Sequence, residues 1–270
     1  MRILTAILTV AAICAARPAS AQVTSATSDT SVRTLLSWID DAEVIEPGGA
    51  EVSFAASRWS SDSGHETDIP SLFAAVGVAP RVQLAMSALH YTSAYTDGFE
   101  SSGRGDLYFI SKIAVVSPRE HPGGIAVSPL IEVLSDLSLA SQNAGASRVT
   151  WGLPITLQYT TVKVQVLGSA GYFSRGSLFG GAGVEVFVAP RVIAAASLLY
   201  SHATTTTALS EEYGLKRNRT DVTGGVDVLV SPVVTVFATF SRTIAGTDVS
   251  STNALGTIGL SLRFAGRPRP

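Results

Sequence analysis

Eight charged side chains of this sequence recur in the polar phase of stretches in which polar and apolar residues alternate. Rings of charged side chains select solutes in pores, and opposite charges on neighbouring strands also pair as structural ion pairs. Two hypotheses therefore stay open, a charged constriction of a lumen and a salt-bridge network that only fills an interior. The eight residues are Glu51, Asp106, Lys112, Glu132, Lys163, Glu185, Asp227 and Arg263.

The residue types give little support for catalysis. A lipid hydrolase needs a serine and a histidine within reach, with a third group that orients the histidine. None of the four histidines, His65, His90, His121 and His202, shares a clear face with a candidate serine. No Cys, His and carboxylate cluster has the spacing of metal ligands. We expect no enzyme, no catalytic residue, no metal and no cofactor.

The composition is apolar and weakly charged. Hydrophobic residues make up 46% and charged residues 15%, and the formal net charge is −2. This balance argues against a nucleic-acid partner, which favours a basic surface. Since no apolar run after residue 21 is long enough for a spanning helix, two folds remain. They are a large soluble β core and strands that face lipid at every second residue.

The N-terminus predicts export. Arg2 precedes an apolar run over residues 3–16, and Ala19-Ser20-Ala21 follows as a cleavage site, which is typical of a signal peptide over residues 1–21. A membrane anchor would need about 20 apolar residues, and Arg17-Pro18 interrupts the run before that.

Residues 22–49 form a leader with a different pattern. Leu35, Leu36, Ile39 and Ala42 follow helical spacing, and Pro47-Gly48-Gly49 would stop a helix. We predict a short amphipathic helix over Val32–Glu46 that lies either in the periplasm or inside the barrel as a plug. A partly disordered leader is the alternative.

From Ala50 onward the period is two, in segments of about 10 residues, the length of a tilted membrane-crossing strand. The apolar phase lacks charge in the middle of the segments, whereas the other phase carries the eight charged residues. Burying that second phase in a dry core would be costly, so we expect it to face a wet lumen. The predicted strands are 50–59, 70–79, 81–92, 105–116, 124–134, 149–159, 161–173, 177–188, 191–202, 219–230, 233–243 and 255–264.

The connections alternate in length. Short, proline-containing turns such as Ala79-Pro80-Arg81 and Ala189-Pro190-Arg191 alternate with mostly longer polar loops, as between the two rims of an outer-membrane barrel. We predict an all-β, antiparallel, up-and-down transmembrane barrel of about 12 strands over residues 50–264, with a tail over 265–270. Aromatic residues near the strand ends would form the interfacial girdles. These are Trp59, Trp151, Tyr172, Tyr200 and Phe240 at the loop rim, and Tyr159 and Phe264 at the turn rim.

Two short segments carry a family resemblance. Residues 103–109, Gly-Arg-Gly-Asp-Leu-Tyr-Phe, and residues 80–84, Pro-Arg-Val-Gln-Leu, resemble the outer-membrane barrels grouped as MetA-pathway-of-phenol-degradation-like transporters. The resemblance covers residues 48–264 and implies a barrel that passes small molecules, including hydrophobic ones. It carries over no binding residue. Inward apolar positions such as Ile110, Leu130, Leu167 and Phe237 would narrow or dry the lumen.

The sequence thus predicts an outer-membrane channel or transporter for passive passage of small solutes. The alternative is a non-conducting structural or surface-recognition barrel that acts through its extracellular loops. The expected partners are outer-membrane lipid, the barrel-assembly machinery during biogenesis and a small-molecule solute, with no nucleic acid.

Overall fold

The computed structural model describes residues 39–89, 92–96, 99–140, 146–206, 214–249 and 251–266. Within them, 12 antiparallel strands form one closed barrel, which confirms the predicted fold class. Three strands consist of two segments each. The strands are β1 (Ala50–Ser60), β2 (Gly64–Ala79), β3 (Val82–Leu89 and Thr92–Thr96), β4 (Phe99–Gly103 and Leu107–Val116), β5 (Gly123–Val127 and Leu130–Val133), β6 (Val149–Thr160), β7 (Val164–Phe173), β8 (Ser177–Ala189), β9 (Val192–Ala203), β10 (Asn218–Leu229), β11 (Val234–Ala245) and β12 (Ala254–Phe264).

The barrel closes between its first and last strands. β1 pairs with β12 along its whole length, from Ala50 opposite Phe264 to Ser60 opposite Ala254. Each remaining strand pairs with its neighbour in sequence, which is the up-and-down order. Closure leaves no unpaired strand edge, and an exposed edge cannot exist in hydrocarbon.

The two phases of each strand face opposite environments, and the apolar phase faces outward. In β6, Leu153, Ile155 and Leu157 are 40–54% exposed, whereas Thr156 and Gln158 between and beside them are buried. A soluble protein places its apolar residues inside. Here the inward face is polar and the outer face is an apolar belt, so the arrangement suits a bilayer around the barrel.

The two rims differ in their connections. The strands at one rim are joined by residues 80–81, 117–122, 161–163, 190–191 and 230–233, and both ends of the barrel, Ala50 and Phe264, lie at this short-turn rim. At the opposite rim, which we call the long-loop rim, the strands are joined by longer segments, of which the structure describes residues 134–140, 146–148, 204–206, 214–217, 246–249 and 251–253. A short helix, α1 (Asp136–Ala140), lies within the first of these loops.

Several predicted strand ends were wrong. β2 begins at Gly64 rather than residue 70. β3 and β4 extend into the segment that was predicted to be a loop between them, and form a hairpin in which Thr92 pairs with Gly103. Serine, threonine and glycine are frequent in these extensions. Polar and apolar residues alternate only weakly there, so the sequence did not predict the strand segments that cross-strand hydrogen bonds form. In β2 the register shifts beside Ile69-Pro70, because proline cannot donate to the ladder and is tolerated at a bulge.

The aromatic girdle is also corrected at one position. Trp151, Tyr200 and Phe240 are exposed on the outer face at the long-loop rim. Trp59 instead follows the inward phase of β1, after buried Ser57, and its Nε1 donates to Thr252 Oγ1 at 2.9 Å. An indole N–H group that is removed from water usually has a hydrogen-bond partner, and Thr252 is that partner here.

Candidate functional site in the barrel lumen

Most of the charged residues predicted to line the interior do point into it. Glu51, Lys112, Glu132, Glu185 and Asp227 are buried on the inward faces of their strands. Arg263 lies opposite Glu51 in the β1–β12 register, with its Nη2 3.7 Å from Glu51 Oε2. Ser261 Oγ donates to the other Glu51 oxygen at 3.1 Å.

Lys163 and Asp106 have other positions. Lys163 lies in the turn 161–163 before β7 and is exposed at the short-turn rim. Asp106 lies just before the second segment of β4, where its Oδ1 accepts a hydrogen bond of 2.8 Å from Ser135 N. Asp106 therefore holds Ser135, at the start of the loop after β5, against β4.

The lumen also contains residues 39–49, which we call the strap. Ala42, Val44 and Ile45 are 0–4% exposed and lie among inward-facing wall residues. The strap is neither helix nor strand apart from a bridge between Pro47 and Gly77. The predicted helix is therefore wrong for residues 39–46, and its residues 32–38 lie outside the described residues. A helix would use its own carbonyl groups to bind its amides. Here wall side chains bind the amides of Ala42 and Ile45, and strap carboxylates bind those of Asp41 and Glu43.

The strap is fixed to β2 at the short-turn rim. Gly48 N donates to Gly77 O at 2.8 Å, and Gly77 N donates to Gly49 O at 3.0 Å. A Cβ atom on Gly77 would lie only 2.2 Å from the carbonyl oxygens of Ile45 and Glu46. Only glycine allows the strap backbone to approach β2 this closely.

A buried ion pair joins the strap to β4. Lys112 Nζ lies 2.8 Å from Asp40 Oδ2 and 2.8 Å from Asp41 Oδ1. The side chains of Lys112 and Asp41 are 4% and 6% exposed, whereas that of Asp40 is 42% exposed. Because an unpaired buried charge is costly, the Asp41 pair holds the middle of the strap to the wall.

A second cationic contact lies at the rim. Arg119, in the turn 117–122, is 3.1 Å from Glu46 Oε1 and donates through Nη2 to Val44 O at 3.0 Å. This pair is partly exposed, so we expect it to contribute little to stability.

Two glutamines complete the attachment. Gln158 Oε1 on β6 accepts from Ala42 N at 2.7 Å, and Gln83 Oε1 on β3 accepts from Ile45 N at 2.9 Å. Both glutamines are buried and inward. The sequence reasoning did not select them, although an inward glutamine near a turn was a usable signal because a buried amide needs partners.

The far end of the strap reaches β8. Ile39 Cδ1 lies 2.8 Å from where a Cβ atom of Gly181 would be, and Ile39 Cγ2 lies 3.3 Å from that of Gly183. Gly181 and Gly183 lie in a glycine-rich run of β8, residues 180–183. Because they have no side chain, they leave the space that Ile39 occupies.

The strap contacts β2–β6 most extensively, and we call this side of the lumen the strap wall. On the opposite side, β8–β12, which we call the open wall, a cavity of about 450 Å³ lies at the short-turn rim. Asp227, Ile193 and Thr235 line it from the wall, and Ile45 and Glu46 line it from the strap. The strap therefore leaves space beside itself at this mouth.

The long-loop half of the lumen is partly filled. Glu132 is fully buried and accepts hydrogen bonds from Tyr108 Oη at 2.8 Å, Thr150 Oγ1 at 2.7 Å and Arg175 Nη2 at 2.9 Å. Beside this network, Leu130, Phe173 and Phe179 form an apolar cluster. Glu132 thus acts as the centre of a structural network, as the alternative hypothesis for the charged residues requires.

Carboxylates outnumber cations around the strap. Among the described residues of the strap, the adjoining wall and the mouth cavity, the acidic side chains are Asp40, Asp41, Glu43, Glu46, Glu51, Glu185 and Asp227, and the basic ones are Lys112, Arg119, Arg191 and Arg263. In the described part of the chain, no group of three or more His, Cys, Asp or Glu side chains is placed to hold a metal ion. Nor does any helix there have the length and apolarity to cross a membrane.

Solved structures with a similar fold are outer-membrane barrels. The NanC porin superposes with a TM-score of 0.57 at 12% identity, over 78% of this chain and 98% of that one. The KdgM porin, also solved with disordered oligogalacturonate, gives 0.53 at 9% identity, over 79% and 99%. The COG4313 outer membrane channel of Pseudomonas putida F1 gives 0.55 at 13% identity, over 83% and 98%.

At these identities the likeness defines the fold, a porin-like barrel of the outer-membrane type. No family model matches the chain, and no curated protein sequence matches it either.

Proposed function

We propose that this chain is an outer-membrane channel for the passive passage of small solutes. In this proposal, residues 1–21 direct export, residues 50–264 form the barrel in the membrane and residues 265–270 are a tail. The supporting observation is the polar lumen inside an apolar outer belt, together with the cavity of about 450 Å³ that the strap leaves open at the short-turn mouth. A closed structural protein has no need of such a mouth.

The path for a solute would follow the open wall. The strap occupies the side of β2–β6, so a solute entering from the short-turn rim meets Asp227, Ile193 and Thr235 first. Glu185 lies further in, beside Ile39 and Leu167. Asp227 and Glu185 are therefore the predicted charged residues with the best positions to act on a solute.

The excess of carboxylates around the strap favours cations and neutral solutes over anions. Apolar side chains at the mouth, Phe187, Ile193 and Leu229, are compatible with the hydrophobic solutes that the resemblance to MetA-pathway-like transporters implies. We propose that the chain belongs to that family and passes hydrophobic solutes. Its other proposed partners are outer-membrane lipid and the barrel-assembly machinery.

The non-conducting barrel has its own supporting observation. The strap is buried and attached at several points, and the cluster of Leu130, Phe173 and Phe179 narrows the long-loop half. If these two features together close the lumen, function would rest with the loops at the long-loop rim.

Single-channel recording in a planar bilayer separates the two functions. We expect small, reproducible current steps from the folded full-length chain, and larger steps from a variant that lacks residues 22–46. Refolding is checked by a heat-dependent mobility shift on a gel. If neither protein carries current although both are folded, the channel proposal is wrong and the loop-based function is favoured.

A further inference from the structure

Two arginines project from the outer surface of the barrel near the long-loop rim. Arg58 on β1 and Arg242 on β11 are exposed, and each is adjacent in sequence to a buried inward residue, Ser57 and Thr243 respectively. Because side chains alternate along a strand, both guanidinium groups lie on the outside of the barrel.

Neither arginine has an anionic partner in the described part of the chain. Arg58 Nη1 donates only a long hydrogen bond, 3.4 Å, to Thr67 Oγ1, and no hydrogen bond or ion pair forms at the Arg242 side chain there. Most other arginines in the described part of the chain do pair with a carboxylate. Those paired with a carboxylate are Arg81, Arg119, Arg148, Arg175, Arg219 and Arg263.

The two arginines lie at the upper edge of the apolar belt. Arg58 is opposite Gly256 on β12, and Gly256 is opposite Phe240 on β11, two residues before Arg242. Phe240 and Ile258 just below are 55% and 49% exposed. A guanidinium at this height stands where hydrocarbon gives way to headgroups, and long cationic side chains reach that boundary readily.

The surface between the arginines is open. β1 and β11 are separated by one strand, or about 10 Å at two strand spacings. The residue between them is Gly256, and a Cβ atom built on it would meet nothing within 4 Å. The two guanidinium groups therefore flank a shallow floor of backbone with apolar side chains beneath it.

We propose that Arg58, Arg242 and the floor at Gly256 bind the phosphate group of a lipid in the outer leaflet, whose acyl chains lie on Phe240 and Ile258. Guanidinium groups bind phosphate oxygens in a bidentate manner, and this pairing strengthens away from bulk water. The assignment to the outer leaflet rests on the proposed location in the outer membrane, where the longer loops face outside.

The chain offers a matched control at the opposite rim. Arg191, in the turn 190–191, is also exposed and has no ion pair in the described part of the chain. It lies at the short-turn rim, away from the outer leaflet. Arg191→Gln therefore removes the same charge from a site that lacks the proposed geometry.

Native mass spectrometry of the folded full-length barrel tests the site, with a monophosphorylated glycolipid and its dephosphorylated counterpart as probes. We expect the wild type to bind the phosphorylated lipid about tenfold more tightly, the contribution of one or two charge-assisted hydrogen bonds. Arg58→Gln with Arg242→Gln should abolish this preference, and Arg191→Gln should retain it. Excess inorganic phosphate should not displace the lipid, since the acyl chains contribute to binding.

The proposal is overturned if the double variant keeps the preference, if Arg191→Gln loses it equally, or if inorganic phosphate alone displaces the lipid. Both substituted side chains are exposed, and the heat-dependent mobility shift verifies that each variant is folded. The assay does not depend on current through the lumen, so a failed channel proposal would leave its outcome readable.

Discussion

The two sides of the lumen are built from the same alternating strands yet differ in what their inward side chains bind. On the strap wall, Gln83, Lys112 and Gln158 each contact a strap backbone or carboxylate group. On the open wall, Asp227 and Thr235 line a cavity. The difference shows that an inward polar residue has no fixed role in a barrel, because its role depends on what lies across from it.

Several hydroxyl groups on the open wall find partners within the wall itself. Thr223 Oγ1 and Ser241 Oγ are 2.6 Å apart, and Thr243 Oγ1 donates to Asp221 Oδ1 at 2.6 Å. Short hydroxyl side chains reach across one strand spacing, so this wall needs no strap to satisfy them. The longer side chains of the strap wall extend into the lumen and hold a second segment of chain.

Lys112→Ala should reduce the difference between the strap wall and the open wall most strongly. It leaves Asp41 buried without its cation, which costs about 3–5 kcal/mol for a buried pair, while the half-exposed Asp40 pair adds at most about 1 kcal/mol. We expect lower stability in denaturant titration and larger current steps, because the strap is released. Arg81→Ala is the control, since it breaks an exposed pair with Glu120. Equal losses from both variants would contradict the strap attachment.

Gly77→Ala should have the next largest effect. The added methyl group would overlap the Ile45 and Glu46 carbonyl oxygens, so the strap must shift, at a cost of about 1–3 kcal/mol. Gly168→Ala is matched to it, because a Cβ atom there meets only Leu157 at 3.9 Å. Unfolding of both variants is measured in the same detergent. A neutral Gly77→Ala would show that the strap does not depend on this approach.

Gln158→Leu tests the attachment of the strap to the strap wall at a single amide group. It removes the acceptor of Ala42 N, and a buried unsatisfied N–H group costs about 1–3 kcal/mol. Gln158→Glu keeps an acceptor oxygen for Ala42 N, so hydrogen exchange at Ala42 should stay slower than in the leucine variant. Faster hydrogen exchange at Ala42 in the leucine variant would report the loss directly. Protection that stays equal in the two variants would argue against this hydrogen bond.

The smallest effect is expected on the open wall. Asp227→Asn removes one carboxylate from the mouth cavity, so the preference for cations should fall, as measured by the reversal potential in a salt gradient. Glu120→Gln, on an exposed turn at the same rim, should leave the reversal potential unchanged. An unchanged value for Asp227→Asn would make that carboxylate a structural residue.

The sequence predicted the barrel well because alternation is a local signal. Trp151 and Tyr159 were predicted on the outer surface and Leu130, Leu167 and Phe237 inside, and the burial of each agrees. Lys163 was assigned to a strand that begins one residue later, because a turn and a strand end differ by hydrogen bonds that no single residue type specifies.

The leader shows the limit of local reasoning. Leu35, Leu36, Ile39 and Ala42 match a helical period, yet residues 39–46 form neither helix nor strand, since Gln83 and Gln158 bind amides that a helix would have bound internally. These partners are 38 and 116 residues away along the chain. The spacing of hydrophobic residues cannot predict hydrogen-bond partners that lie so far away along the sequence.

By itself, then, the sequence determined for most strand residues whether they face outward or into the lumen, because side-chain direction in a strand repeats every two residues whatever the strand's neighbours are. Tertiary structure alone decided where the strap lies and which inward charges it binds. Those contacts join segments that meet only when the barrel closes.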